Sequence, residues 1–481
     1  MGNKGSSRNI KPLEMLTEEE IESIIQGTLK ILEETGVRVE HKRALKLLGS
    51  NGCKVDYNRM MVRIPSKLVE ECLKQCPSSF PIKARDPQNN IIMGDHTTYF
   101  KNSGGMKTID LETLEPRIPT RKENRDAIRI LNSLENLHIL SAPYSVFEGV
   151  PLVMTILEGC ADKIRNSTKV QMEGYREDSE IFQIQMAKAV GAEILEYINA
   201  SPPLAWNEET MEALFRIVKS GFPINVIGGQ SFGGTAPVTL AGALAIYDAE
   251  LIVPIVLAQL IKPGTRVVCA DYSFAMNMQS GFPDFGAIGS SLHLVAFNQV
   301  WRRYGIPTNS STCGYSNSKN LDFQTGYEKA IQGILAGISG ANLIVLHGAV
   351  SAELTFHPVQ AVMDEDIAGI IGRFLRGFAV NDETLALDVI SRVGPTPGHF
   401  LGEEHTRKWC RIEQFVPQSV DRLSYPEWMA NGKRTALDYA REKMETVLAG
   451  PQPCALKSNH EEEIEKILED ARKYYKKQGK L

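Results

Sequence analysis

The chain has no run of about eighteen uncharged apolar residues, the length a membrane-crossing helix requires. The nearest window, Pro237 to Ile261, is broken by Asp248 and Glu250. The opening, MGNKGSSRNIKPLEML, holds no apolar core of signal-peptide length. Cysteine is sparse: eight residues spread over 481 positions make no disulfide framework, and Cys72 and Cys76 lie four apart on a predicted helix. A reduced, cytoplasmic setting is expected, with no membrane partner. An excess of charge of one sign is missing too. The net charge of −5 is small and the basic stretches are short, which argues against nucleic acid. Gly228 to Gly234 (GGQSFGG) has neither the dinucleotide-binding glycine spacing nor the GK[ST] of a phosphate loop. What remains is 43% hydrophobic and 23% charged, enough to bury a large core and incompatible with a disordered chain.

Residues 1–120 read as an α+β N-terminal portion. TEEEIESIIQGTLKILEET at 17–35 predicts a helix: Thr17 and Glu20 form a capping box, Ile21, Ile24, Ile25, Leu29 and Leu32 share one stripe, and Gly36 ends it. Helices are predicted over His41–Ser50 and Pro65–Lys74, with a hairpin turning at Asn58 between them. Residues 78–120 carry turn signals and read as short strands.

From about 121 helix and buried strand alternate. Strands are predicted near Leu137–Ala142, Ser167–Met172, Pro202–Trp206, Ile224–Gly228, Arg266–Ala270, Ile306–Ser310 and Ala341–Leu346, with amphipathic helices between them. Such spacing favours an α/β fold of the TIM (β/α)8 barrel type over residues 121–380. Seven strands leave one to be found, either Thr97–Lys101 or a segment after residue 380. Residues 381–481 form a C-terminal helical extension that ends in an amphipathic helix over 459–478.

In α/β barrels chemistry collects where strands end and loops begin. The predicted strand ends are rich in aromatics, although only 7% of the chain is aromatic. A ring of aromatic faces suits a ligand with diffuse positive charge, since cation–π attraction contributes about 0.5–2 kcal/mol per face. Tyr99, Trp206, Tyr315 and Phe356 are the candidates for such a cage, Tyr99 on condition that Thr97–Lys101 is the eighth strand. His347, after the apolar run LIVL, and Gln230 are candidates for holding a substrate carboxylate. Two other constellations compete. Cys269, Cys313 and His347 could converge on zinc, although no HxC or CxxC supports them. GQSFG at 229–233 matches the short nucleophile-elbow pattern, with Asp271 and His347 following in the required order.

Several long segments point to a family. NSKNLDFQTGYEKA, GANLIVLHGAV, FHPVQAVMDEDIAGIIGRFLRGFAV and GPTPGHFLGEEHTRKWCRIEQFVPQSVDR resemble the trimethylamine methyltransferase superfamily, as does the opening TEEEIESIIQGTLKILEETGVRV. The likeness runs over essentially the whole chain. It implies a barrel enzyme that moves a methyl group from a methylated amine to the cobalt(I) of a corrinoid, cob(I)alamin or a relative, carried by a separate small corrinoid protein. The archaeal trimethylamine enzymes carry pyrrolysine and this chain has none, so the resemblance points to a quaternary amine, with glycine betaine the simplest. Carnitine and proline betaine are alternatives. A quaternary ammonium releases a neutral tertiary amine, so the chemistry needs positioning and no general acid or metal. A zinc-dependent barrel methyltransferase acting on a thiol or alcohol, and a betaine- or corrinoid-binding module without turnover, are the competing readings. The exposed terminal helix leaves room for a homo-oligomer.

Overall fold

The structure, a computed structural model, describes residues 5–451 and 455–481. Eight parallel strands close on themselves: β1 (Thr97–Asn102), β2 (Ile139–Leu140), β3 (Val170–Glu173), β4 (Ile194–Asn199), β5 (Ile224–Ile227), β6 (Val267–Asp271), β7 (Thr308–Ser310) and β8 (Leu343–His347). Each strand pairs with the next, and β8 returns to β1 with Leu343 opposite Tyr99. A helix follows every strand, from Arg121–Ser133 after β1 to Pro358–Leu375 after β8. This is the expected (β/α)8 barrel. Strands such as β8 (Leu-Ile-Val-Leu-His) are almost continuously apolar because helices cover one face and the barrel interior the other.

The eighth strand is Thr97–Asn102, inside the N-terminal portion as drawn from the sequence. One expected strand needs correction. Pro202–Trp206 is not in the barrel; its place belongs to Ile194–Asn199. Consecutive prolines at 202 and 203 offer no N–H to a ladder, so that stretch cannot run through the middle of a sheet. Only Ala205–Trp206 pairs, with Arg38 and Val39 of a small N-terminal sheet.

The barrel's strand-start end is plugged by a hairpin, Ser79–Ile82 with Ile91–Gly94. Phe80, Ile82, Ile91 and Met93 pack there against inward residues Tyr99, Ile139, Val170, Leu195, Val268 and Leu343. The long apolar helix Leu240–Ile261 is mostly buried and lies against helices Glu18–Lys30 and Ser66–Leu73. Its acidic residues are accommodated: Trp301 donates to Asp248 (2.7 Å) and the Leu204 amide to Glu250 (2.8 Å). The terminal helix Ser458–Lys477 buries Ile464, Ile467, Leu468, Ala471 and Tyr475 against barrel helices Leu152–Asn166 and Glu180–Ala189.

Candidate active site

Strand alternation decides which side chains reach the mouth. On β1, Tyr99 points inward at the plugged end, so Lys101, two residues on, points inward near the open end. On β4, Leu195 and Tyr197 repeat this step, and Asn225 of β5 and Asn309 of β7 bond each other across the interior (3.1 Å). Above them opens a cavity of about 370 Å³. Its floor and walls include Lys101, Met172 and Tyr197 from the strands, Ser141 just past β2, and Tyr144, Tyr175, Arg176 and Tyr315 from the loops. Leu152, Thr155 and Ile156 close one side. The size and the mix of aromatic wall with few polar groups suit a small-molecule site.

The aromatic wall extends past the cavity. Tyr315 packs on Phe285 (5.0 Å between ring centres) and edge-on to Tyr272 (5.7 Å), and Phe274 packs on Phe285 (4.9 Å). Burial raises the phenol pKa values of Tyr272 and Tyr315, and the nearby Tyr197 and Glu353 push in the same direction. Burial pushes the Tyr175 phenol up to about 12. These rings stay neutral at physiological pH and present faces rather than charges. Glu353 stands on the loop after β8. Ser351 and Ala352 before it adopt φ values of 57° and 59°, a left-handed conformation that costs side-chain-bearing residues free energy. Their amides bond Ser318 and Ser316 carbonyls (2.7 Å each), which holds the loop in that shape. Burial raises the Glu353 carboxyl above its ordinary value, and its Oε2 has no hydrogen-bond partner.

Lys101 is 2% exposed and donates to the Asn102 carbonyl (3.1 Å) and to Ser141 Oγ (3.0 Å). Its Nζ lies 5.5 Å from the Tyr197 ring centre. The carboxylate of Glu173, at the cavity edge, is taken by Lys163 on the outer side of β3.

Of the six residues singled out from sequence, Tyr315 lines the cavity. Phe356 is one layer behind, edge-on to Tyr144 (5.3 Å) and fully buried. His347 faces away. Between Val345 and His347 the β8–β1 register slips, setting His347 opposite Asn102 instead of continuing the inward alternation. Its Nε2 then meets Glu365 of the outer helix (3.1 Å). Gln230 is fully buried and donates to the Ala243 carbonyl (2.9 Å) and Ser273 (3.2 Å), locked under the helix Leu240–Ile261. Tyr99 lies at the plugged end, its hydroxyl accepting from the Ile92 amide (3.2 Å). Trp206 is buried in the core between barrel and N-terminal sheet. Sequence reasoning missed Lys101, Tyr197 and Tyr175. A polar or aromatic residue at an inward position of a strand is the signal that would have found the first two.

The competing constellations do not assemble. Cys313 donates to Ser310 and Val345 carbonyls (3.0 and 3.2 Å), His347 is turned to Glu365, and Cys269 sits in the core behind β6. Among the described residues, no group of three His, Cys, Asp or Glu side chains is arranged to hold a metal ion. Asp271 pairs with His293 (3.2 Å) instead of His347, so the elbow at Ser231 has no triad in the expected order.

Comparison with known proteins agrees with the barrel fold and gives the family. The trimethylamine methyltransferase (MTTB) family matches residues 3–474. A glycine betaine methyltransferase of Desulfitobacterium hafniense (strain Y51) is 30% identical over 454 residues, covering 92% of this chain and 94% of that protein. The trimethylamine methyltransferase MttB of D. hafniense (strain DSM 10664 / DCB-2) is 29% identical, covering 95% and 94%. Among solved structures, a hydroxylamine complex of MtmB superposes with a TM-score of 0.50 at 12% identity, over 89% of this chain and 92% of that one.

Proposed function

The chain belongs to the trimethylamine methyltransferase family, and on that premise we propose that it transfers a methyl group from a quaternary amine, glycine betaine first, to the cobalt(I) of a corrinoid held by a small partner protein. In that reaction one N–CH3 bond breaks with its electron pair staying on nitrogen, and the cobalt supplies the pair for the new bond to carbon. Dimethylglycine leaves as a neutral amine with its carboxylate, and no proton needs to move on the enzyme. The protein's task is to hold the ammonium and aim one methyl outward.

The observation that carries this reading is the strand-end cavity walled by Tyr144, Tyr175, Tyr197 and Tyr315. A trimethylammonium group cannot donate hydrogen bonds, and neutral aromatic faces are the surfaces that attract it. Glu353, which acts electrostatically on Tyr272 and Tyr315, stands on the same side, its carboxyl raised by burial. We place the ammonium between Tyr197 and Tyr315. We further propose that the protein works in the cytoplasm, where the partner's reduced cobalt survives.

The test is an anaerobic spectral assay with cob(I)alamin, alone or on a corrinoid protein, and a panel of amines. Methylcobalamin formation with glycine betaine and not with trimethylamine is the expected result. Turnover of trimethylamine alone would overturn the substrate, and silence across the panel would overturn the reaction.

A further inference from the structure

Among the described residues four lysines are buried, and three are neutralised or wrapped by the protein itself. Lys163 pairs with Glu173 and Lys329 with Asp364 (2.6 Å), while Lys169 donates to the carbonyls of Leu131, Leu134 and Leu137. Lys101 differs. Among the described residues no carboxylate is within ion-pair distance of its Nζ, which has two neutral acceptors for three N–H groups. A buried ammonium without a counter-ion is unfavourable unless something supplies the negative charge. Lys101 is also the one of the four that lines the cavity.

We propose that Lys101 is the carboxylate anchor of the substrate site, and that it makes the enzyme select zwitterionic, carboxylate-bearing quaternary amines over simple cations. This rests on the quaternary-amine reading above and adds which member of that class is taken. In the simplest betaine one methylene separates ammonium from carboxylate, so a single small pocket must meet both charges. Lys101 Nζ and the Tyr197 face lie close enough (5.5 Å) to serve the two ends of such a molecule. The other cation at the cavity, Arg176, is a poorer anchor: its side chain is 52% exposed and already near Glu177 (4.0 Å). Trimethylamine, choline or tetramethylammonium would leave Lys101 uncompensated and set a second positive charge near it, so the same lysine that recruits a betaine rejects them.

The experiment is calorimetric binding of glycine betaine, choline and tetramethylammonium to the full-length wild type and to Lys101→Met and Lys101→Gln, with no corrinoid present. Loss of one charge-assisted hydrogen bond predicts that both variants bind glycine betaine about ten- to a hundredfold more weakly. Choline and tetramethylammonium should bind the variants as well as, or better than, the wild type. If Lys101→Met does not fold, Lys101→Gln, which keeps donors without charge, carries the comparison alone. Equal weakening of all three ligands, or of none, overturns the anchor while leaving the quaternary-amine reading in place. Failure of the wild type to bind any of the three overturns that reading and the anchor together.

Discussion

Lys329 and Lys101 are both buried lysines of one barrel, and they differ in what meets the ammonium. Lys329 lies in the layer between strands and helices, where Asp364 takes its charge and in turn accepts from the Gly348 amide and Gln360 (2.8 Å each). Burial lowers the Lys329 pKa, and Asp364 works against that. Lys101 lies inside the barrel at the mouth, with a hydroxyl and a carbonyl for company. The outer layer repeats the first pattern: His347 with Glu365, Asp271 with His293, Arg216 with Glu180. The charges of these pairs are closed on one another and serve the fold. Charge left open at the mouth serves a ligand.

The largest expected effect comes from breaking the closed pair. Lys329→Met leaves Asp364 buried without its cation and should cost about 3–5 kcal/mol of stability in urea unfolding. Lys101→Met removes an ammonium with no protein carboxylate to orphan, so its unfolding free energy should stay within about 1 kcal/mol of wild type. A drop as large as that of Lys329→Met would mean that Lys101 is structural.

Glu250 sharpens the contrast from the acid side, since it sits in the outer layer without a cation. Burial pushes its carboxyl up to about 7, against 4.5 ordinarily. Folded protein therefore holds a proton that the unfolded chain has released between these values. The stability this contributes is complete below about 4.5 and lost as pH rises through about 7. Glu250→Gln should remove that slope, gaining on wild type by about 1–3 kcal/mol between pH 5 and pH 8. An unchanged slope in unfolding free energy would show that Glu250 does not carry it.

His347 separates the two regions most cleanly. Paired with Glu365 and facing away from the cavity, it should behave as a fold residue: His347→Gln should cost about 1–3 kcal/mol of stability and weaken glycine betaine and choline alike. A loss confined to glycine betaine would return His347 to the carboxylate. The smallest effects belong to the aromatic wall. Tyr197→Ala and Tyr315→Ala should each weaken every quaternary amine by about 0.5–2 kcal/mol, whereas Tyr→Phe at either position keeps the face and most of the affinity.

Much of the barrel is readable in the sequence because buried parallel strands are plain apolar runs, as in Ile224–Ile227 and Leu343–His347. The two strands that were uncertain or missed are instructive. β1 contains Lys101 and β4 contains Glu196 and Tyr197, and these residues interrupt the apolar pattern that announces a strand. Lys101 and Tyr197, which line the mouth, thus help to hide the strands carrying them, and Glu196, buried on the outer side of β4, does the same. His347 shows the other obstacle. Its inward direction follows from alternation, and a one-residue slip in register, invisible in the sequence, turns it outward. Tyr315 was legible because it follows a well-marked strand, β7, through a short turn.

A crystal structure of the protein with glycine betaine bound tests the placement of the substrate most directly. The expected result is a ligand in the strand-end cavity, its ammonium between Tyr197 and Tyr315 and its carboxylate on Lys101. A ligand beside His347, or in the separate cavity at the strand-start end lined by Arg8, His96 and Arg302, would contradict it.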